Sequence, residues 1–231
     1  MRLAPPQHRA YSYTVTVPPV NMAVSLDTVK AYLKITSTAE DATLTIFINA
    51  AIDFAEKFTR RDFITRTYET FRDFFPIWLS EGYYTLGENP SFGGALAIPV
   101  ITEGNVGFEV RRSPLQSIES IEYLKDNVLT VVASSIYYNT LETDFSEVLT
   151  LDGDSWPEDA DRRLQSITIT FKTGFGDDDT DMPSWVTEGV MQHVANMWAN
   201  RGDCSSCGDT SGSLLPSTAK LLYLQNRIEN L

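Results

Sequence analysis

The sequence predicts an α+β chain, a helical body interrupted by a β-rich insertion, and three stretches predict it. Between residues 39 and 60, Leu44, Ile48, Ala51, Ala55 and Phe58 recur every three or four positions, with Ile52 alongside; that spacing builds one apolar helix face. Residues 63–176 instead carry short alternating runs broken by Gly, Pro, Asp and Asn, the mark of strands and turns. Residues 164–202 then read strand, turn and helix. Ile167, Ile169 and Phe171 alternate with Thr168, Thr170 and Lys172, Gly174 and Gly176 stop the strand, and Pro183 opens a helix with Val186, Val190, Val194 and Met197 on one face.

Taken in order, residues 1–24 form an extended arm. Pro5-Pro6 and Pro18-Pro19 bracket an alternating run, Tyr11, Tyr13, Val15 and Val17. This run is an edge strand, an arm that pairs with a neighbour, or a flexible terminus. Ser25 is an N-cap for a helix to about Lys34, with Leu26, Val29 and Leu33 on one face. The first helical part thus spans 25–62. Within the insertion, strands are expected at 68–74, 96–101, 108–111, 120–125, 128–132, 137–138 and 148–151, with Asp126-Asn127 as a hairpin turn and 76–94 as a long loop. The second helical part covers 177–202, with Gly202 as its stop. Residues 203–215 are a linker by composition. Pro216 opens a last helix, 216–231, in which Leu221, Leu224, Ile228 and Leu231 form an apolar face. That helix docks on its own body or on a partner.

Composition excludes several function classes. The 231 residues carry 31 acidic and 18 basic side chains, a net charge of −13, which opposes ordinary binding to a nucleic-acid backbone. The acid is concentrated, with twelve Asp/Glu against three Lys/Arg between Glu142 and Asp181. Such a surface suits the wall of a DNA conduit better than a binding groove. No apolar run approaches a membrane span, and no apolar signal segment opens the sequence, so synthesis in a cytoplasm is expected. Two cysteines and two histidines leave little for a disulfide framework, zinc or catalysis.

The candidates for chemistry are weak. Cys204 and Cys207 have redox or metal spacing, but they lie in a Gly/Ser/Asp linker rather than at a helix start. Asp177, Asp178, Asp179 and Asp181 offer carboxylates to a hard cation, yet lack the glycine and distal Glu of a calcium loop. Their simpler role is negative charge at a helix N-terminus. His193 stands beside Val190 and Val194 with no evident nucleophile, and reads as a packed or interface histidine. We therefore expect no catalytic residue, no cofactor and no metal.

Several segments in fixed order resemble one family. They are Val24-Ser25-Leu26 with Lys30 and Leu33; the helix ending Phe58-Thr59-Arg60-Arg61; Ile64-Thr65; Ser113-Pro114-Leu115-Gln116-Ser117-Ile118 running to Tyr123; Ser155-Trp156-Pro157; Ile167–Phe171; Gly174-Phe175-Gly176; Pro183; and Asn200-Arg201. Over roughly residues 20–202 the chain resembles the head–tail connector proteins of tailed bacteriophages, also called adaptors or head-completion proteins. The resemblance implies a virion structural protein of the neck. It implies a homo-oligomeric ring of twelve copies beneath the portal protein, which retains packaged DNA and carries the next stopper or tail protein. Leu221, Leu224, Ile228 and Leu231 would then dock on the portal, and Asp177, Asp178, Asp179 and Asp181 would belong to an acidic lumen. The alternatives are a stopper or tail-terminator ring protein or, in another class, a metal- or ligand-binding protein using its acidic loops. The N-terminal arm, the 76–94 loop and the cysteine linker depart from the family pattern.

Overall fold

The computed structural model describes residues 12–75, 107–140, 146–151, 153–161, 163–201 and 216–228. The strand expected at 96–101, the 76–94 loop, the Cys204/Cys207 linker, the Gly202 stop and Leu231 lie outside the described residues. Within them the fold is α+β, with four α-helices and eight strands in two antiparallel sheets.

The arm supplies β1 (Tyr13–Val17), so the alternating run is an edge strand. The helix α1 (Leu26–Leu33) starts at the expected cap, where the Ser25 side chain accepts a hydrogen bond from the Thr28 amide. It ends at Lys34, which turns left-handed. The helix α2 (Asp41–Thr59) buries Leu44, Ile48, Ala51 and Ala55, most of the apolar face read from the sequence, and stops at Arg60 with φ 61. Then follow β2 (Arg66–Arg72), β3 (Gly107–Val110), β4 (Leu115–Lys125), β5 (Val128–Val131), β6 (Tyr137–Asn139), β7 (Ser146–Thr150) and β8 (Ile167–Thr173). The chain closes with α3 (Ser184–Ala199) and α4 (Ser217–Gln225).

The five-stranded sheet runs β1-β2-β8-β4-β5, and the three-stranded sheet β3-β7-β6. Alternation sets one face of the larger sheet inward: Tyr68 pairs with Phe171, Ile169 with Ile121 and Ile167 with Tyr123. This face meets Phe108, Val110 and Val148 of the smaller sheet, with Phe75 and Trp156 between. Phe75 and Trp156 stack at 5.3 Å.

A second core lies among the helices. Val29, Leu44, Ile48, Ala51, Ala55, Val186, Val190, Val194, Ala219 and Tyr223 are buried together. Each buried large aliphatic side chain contributes about 1.5–3 kcal/mol against exposure. Phe63 and Ile64, which open the expected β insertion, belong to this helical core. The reason is geometric: they sit on the turn out of α2, before the first strand begins, and Phe63 meets Trp185 edge-on at 5.7 Å.

Two boundaries differ from expectation. The helix α3 stops at Ala199, where Asn200 caps it and its amide donates to the Asn196 carbonyl. The last helix stops at Gln225 instead of running to 231, because Asn226 folds back and donates from Nδ2 to the Leu222 carbonyl.

Candidate assembly surfaces

The helical and β cores are joined by a buried polar knot that starts where α2 ends. Asp62 is buried and accepts hydrogen bonds from the Tyr68 hydroxyl at 2.9 Å and the Thr173 hydroxyl at 2.8 Å. Arg66 and Arg112 stand 3.6 and 3.8 Å from its Oδ1. Glu56 on α2 accepts from Arg66 at 2.6 Å and from the Phe63 amide at 2.8 Å. Arg61 donates to the Asn226 carbonyl at 2.7 Å and to Ser113 Oγ at 3.1 Å. Low dielectric makes these bonds strong and makes any orphaned member costly. Burial raises the Glu56 carboxyl above the usual range, against the opposing pull of Arg66. Burial, and then the Asp62 charge, pushes the Tyr68 hydroxyl up to about 12. Arg112 also lies over the Tyr68 and Tyr13 rings, at 5.0 and 5.5 Å, which ties the edge strand to the knot. Every acid in this knot is matched by hydrogen-bond donors, as a structural joint requires.

The helix α4 docks on its own body, on α3 and α2. Ala219 and Tyr223 face inward, and Gly189 of α3 makes the notch for the tyrosine ring. The amide of Ile228 donates to the Thr59 carbonyl at 3.1 Å. The expected single apolar face of Leu221, Leu224, Ile228 and Leu231 is therefore corrected. Leu221 and Leu224 are 57% and 44% exposed, whereas Ile228 lies past the helix end and is 2% exposed. A helix presents its i and i+4 neighbours on one side, and the residues facing the body here are 219 and 223. Leu221 and Leu224 are left outside, and Leu231 lies outside the described residues.

The acidic loop is built by its own carboxylates. Asp181 accepts from the Asp177 and Asp178 amides at 3.0 and 3.2 Å. Asp178 and Asp181 close a capping box around the short 3-10 turn Asp179–Asp181. Asn21, just past β1, donates to the Asp177 carbonyl and to Asp178 Oδ1 at 2.6 Å. Asp177, Asp178 and Asp181 are exposed and Asp179 half-buried. Among the described residues no group of three or more His, Cys, Asp or Glu is placed to hold a metal ion. No helix of the described residues is long and apolar enough to cross a membrane.

His193 is buried on α3 and meets Phe54 edge-on at 5.4 Å. Its Nδ1 has no hydrogen-bond partner among the described residues. Burial lowers its pKa. Sequence reasoning placed this residue in the packing, and it is there. It did not single out Asp62, whose only signal is its place in the charged run Arg60-Arg61-Asp62 directly after an apolar helix. Nor did it single out Asp161, which accepts from the Asp126 and Asn127 amides at 3.0 and 2.9 Å and fixes the β4–β5 turn.

Residues 23–84 match the family model described as phage gp6-like head-tail connector protein. The resemblance read from the sequence is thereby borne out on the first helical part and the start of the insertion. Three solved structures share the fold over nearly the whole chain. A chain in the neck of an empty gene transfer agent particle, computed with C6 symmetry, is 17% identical with a TM-score of 0.65, covering 96% of this chain and 97% of that one. A chain in the virion of a native gene transfer agent particle is 16% identical with a TM-score of 0.61, covering 96% and 97%. A chain in the neck of a native particle, computed with C12 symmetry, is 17% identical with a TM-score of 0.57, covering 94% and 97%. No curated protein matches in sequence. The fold of these neck and virion chains is thus shared by the elements on both sides of the polar knot.

Proposed function

We propose that this chain is a structural subunit of the neck of a phage-like particle, a head–tail connector that assembles as a ring of twelve copies under the portal. The observation that carries the reading is likeness of fold end to end: a chain of a particle neck is covered over 97% of its length by 96% of this one, and the first helical part matches the connector family. In this reading the chain catalyses no reaction. It helps retain packaged DNA and presents a platform to the next neck or tail protein.

The exposed Leu221 and Leu224 of α4 are the residues we assign to portal docking, since the inner side of that helix is already occupied by its own body. The exposed carboxylates of Asp177, Asp178 and Asp181, with the half-buried Asp179 beside them, would face the lumen. Like charge repels the DNA backbone and lets it pass without sticking. Ring closure needs head-to-tail contacts between unlike surfaces.

Deleting the gene and imaging the resulting particles tests the reading. Full-length tails lying free beside tailless heads that have lost their DNA are the expected outcome. Intact tailed particles would overturn it.

A further inference from the structure

We infer that neighbouring copies meet edge to edge along the five-stranded sheet, the apolar β5 of one copy packing on the apolar β1 edge of the next. The inference rests on the ring reading above and names its contact. Among the described residues the sheet ends at β1 on one side and β5 on the other, and neither end is guarded by charge. Charge is one of the guards that monomeric proteins place on such strands. Here β1 reads Tyr-Thr-Val-Thr-Val and β5 Val-Leu-Thr-Val, with no charged residue in either. This is unusual in a chain of net charge −13. Copies so acidic repel one another over most of their surface, and uncharged patches are where close approach costs least.

Each end also exposes apolar side chains. Val128, Leu129 and Val131 are all at least 60% exposed, and consecutive residues of a strand point to opposite faces, so this hairpin end is bare on both sides. At the other end Val15, Val17 and Val20 are exposed, Val20 at 91%.

Both edges are held in place before any partner arrives. The β4–β5 turn places Asp126 and Asn127 at φ 52 and 63, and the Asp161 carboxylate takes both of their amides. Arg163 adds a bond to Asn127 at 2.9 Å, and Lys125 pairs with Asp159 at 2.6 Å. The β1 side is tied by Asn21 to Asp177 and Asp178. Surfaces ordered in advance lose less entropy on association. Because the two patches are unlike and lie at opposite ends of one sheet, their contact is heterologous, the kind that closes rings.

The test is a cross-link. In a Cys204→Ser, Cys207→Ser background, Val17→Cys and Leu129→Cys are introduced together, and necks of assembled particles are treated with a short bismaleimide. A ladder of covalent multimers, absent from either single-cysteine variant, is expected. Necks that contain the chain but yield only monomer overturn the edge contact and leave the ring reading intact. Particles that assemble without the chain overturn the ring reading itself. Leu129→Glu gives a second readout: the purified protein keeps its melting temperature, and incorporation into necks falls by about tenfold or more, as expected for an unpaired charge forced into a contact. Unchanged incorporation overturns the contact.

Discussion

The ring of Tyr223 lies so close to Gly189 that a Cβ at position 189 would stand 2.5 Å from Tyr223 Cε1. This contact fixes α4 to α3, and it explains a glycine in mid-helix, where alanine is otherwise favoured by about 1 kcal/mol. The Tyr223 hydroxyl has no hydrogen-bond partner among the described residues, and burial raises its pKa. Shape, not hydrogen bonding through that hydroxyl, holds the tyrosine.

Gly189→Ala is expected to lower stability despite the better helix propensity. Overpacking against a fully buried ring costs about 1–3 kcal/mol, which exceeds the propensity gain. Urea denaturation reads the net change, and hydrogen exchange along 217–225 shows whether α4 loosens first. A more stable variant would refute the notch.

Asp62→Ala tests the joint between the cores. It leaves the buried Tyr68 and Thr173 hydroxyls without their acceptor and removes a counter-charge beside Arg66. Breaking such a buried charged network costs about 3–5 kcal/mol. A loss below about 1 kcal/mol in chemical denaturation would mean the knot is solvated and unimportant.

His193 predicts a pH dependence with a definite sign. Burial lowers its folded pKa below the unfolded value of about 6.5, so the unfolded chain binds more protons in that window. The neutral ring's full contribution is present above about pH 6.5 and is lost as pH falls from there toward the folded pKa. His193→Gln should flatten the slope of stability between about pH 6.5 and 5, above the range where most carboxylates titrate. Identical slopes for the two proteins would count against a neutral buried ring.

Leu221→Glu combined with Leu224→Glu should separate docking from folding. Both side chains are exposed, so thermal stability should change by about 0.5 kcal/mol or less, while co-sedimentation with purified portal rings should drop sharply. Undiminished portal binding would remove α4 from that interface.

Local patterning was enough to read the four helices and most of the described strands, while the run that became β1 stayed open among three readings. The 3.6-residue spacing of Leu44, Ile48, Ala51 and Ala55 and the alternation of Ile167, Ile169 and Phe171 are local signals, and each survives in the fold because an element must bury one face. Ser25 and Pro183 marked helix starts for equally local reasons, one by capping side chain and one by fixed φ. The order of short motifs also carried the family resemblance. Tertiary structure alone decided which side of α4 is free, since Ile228 and Leu221 are equally apolar and only the Gly189 notch and the Thr59 carbonyl separate them. It alone brought Asp62 to Thr173, 111 residues on, and Asp161 to the turn at 126 and 127. A carboxylate shows in sequence only as charge. Whether it faces solvent, caps a turn or locks two cores together depends on which distant donors the fold delivers to it.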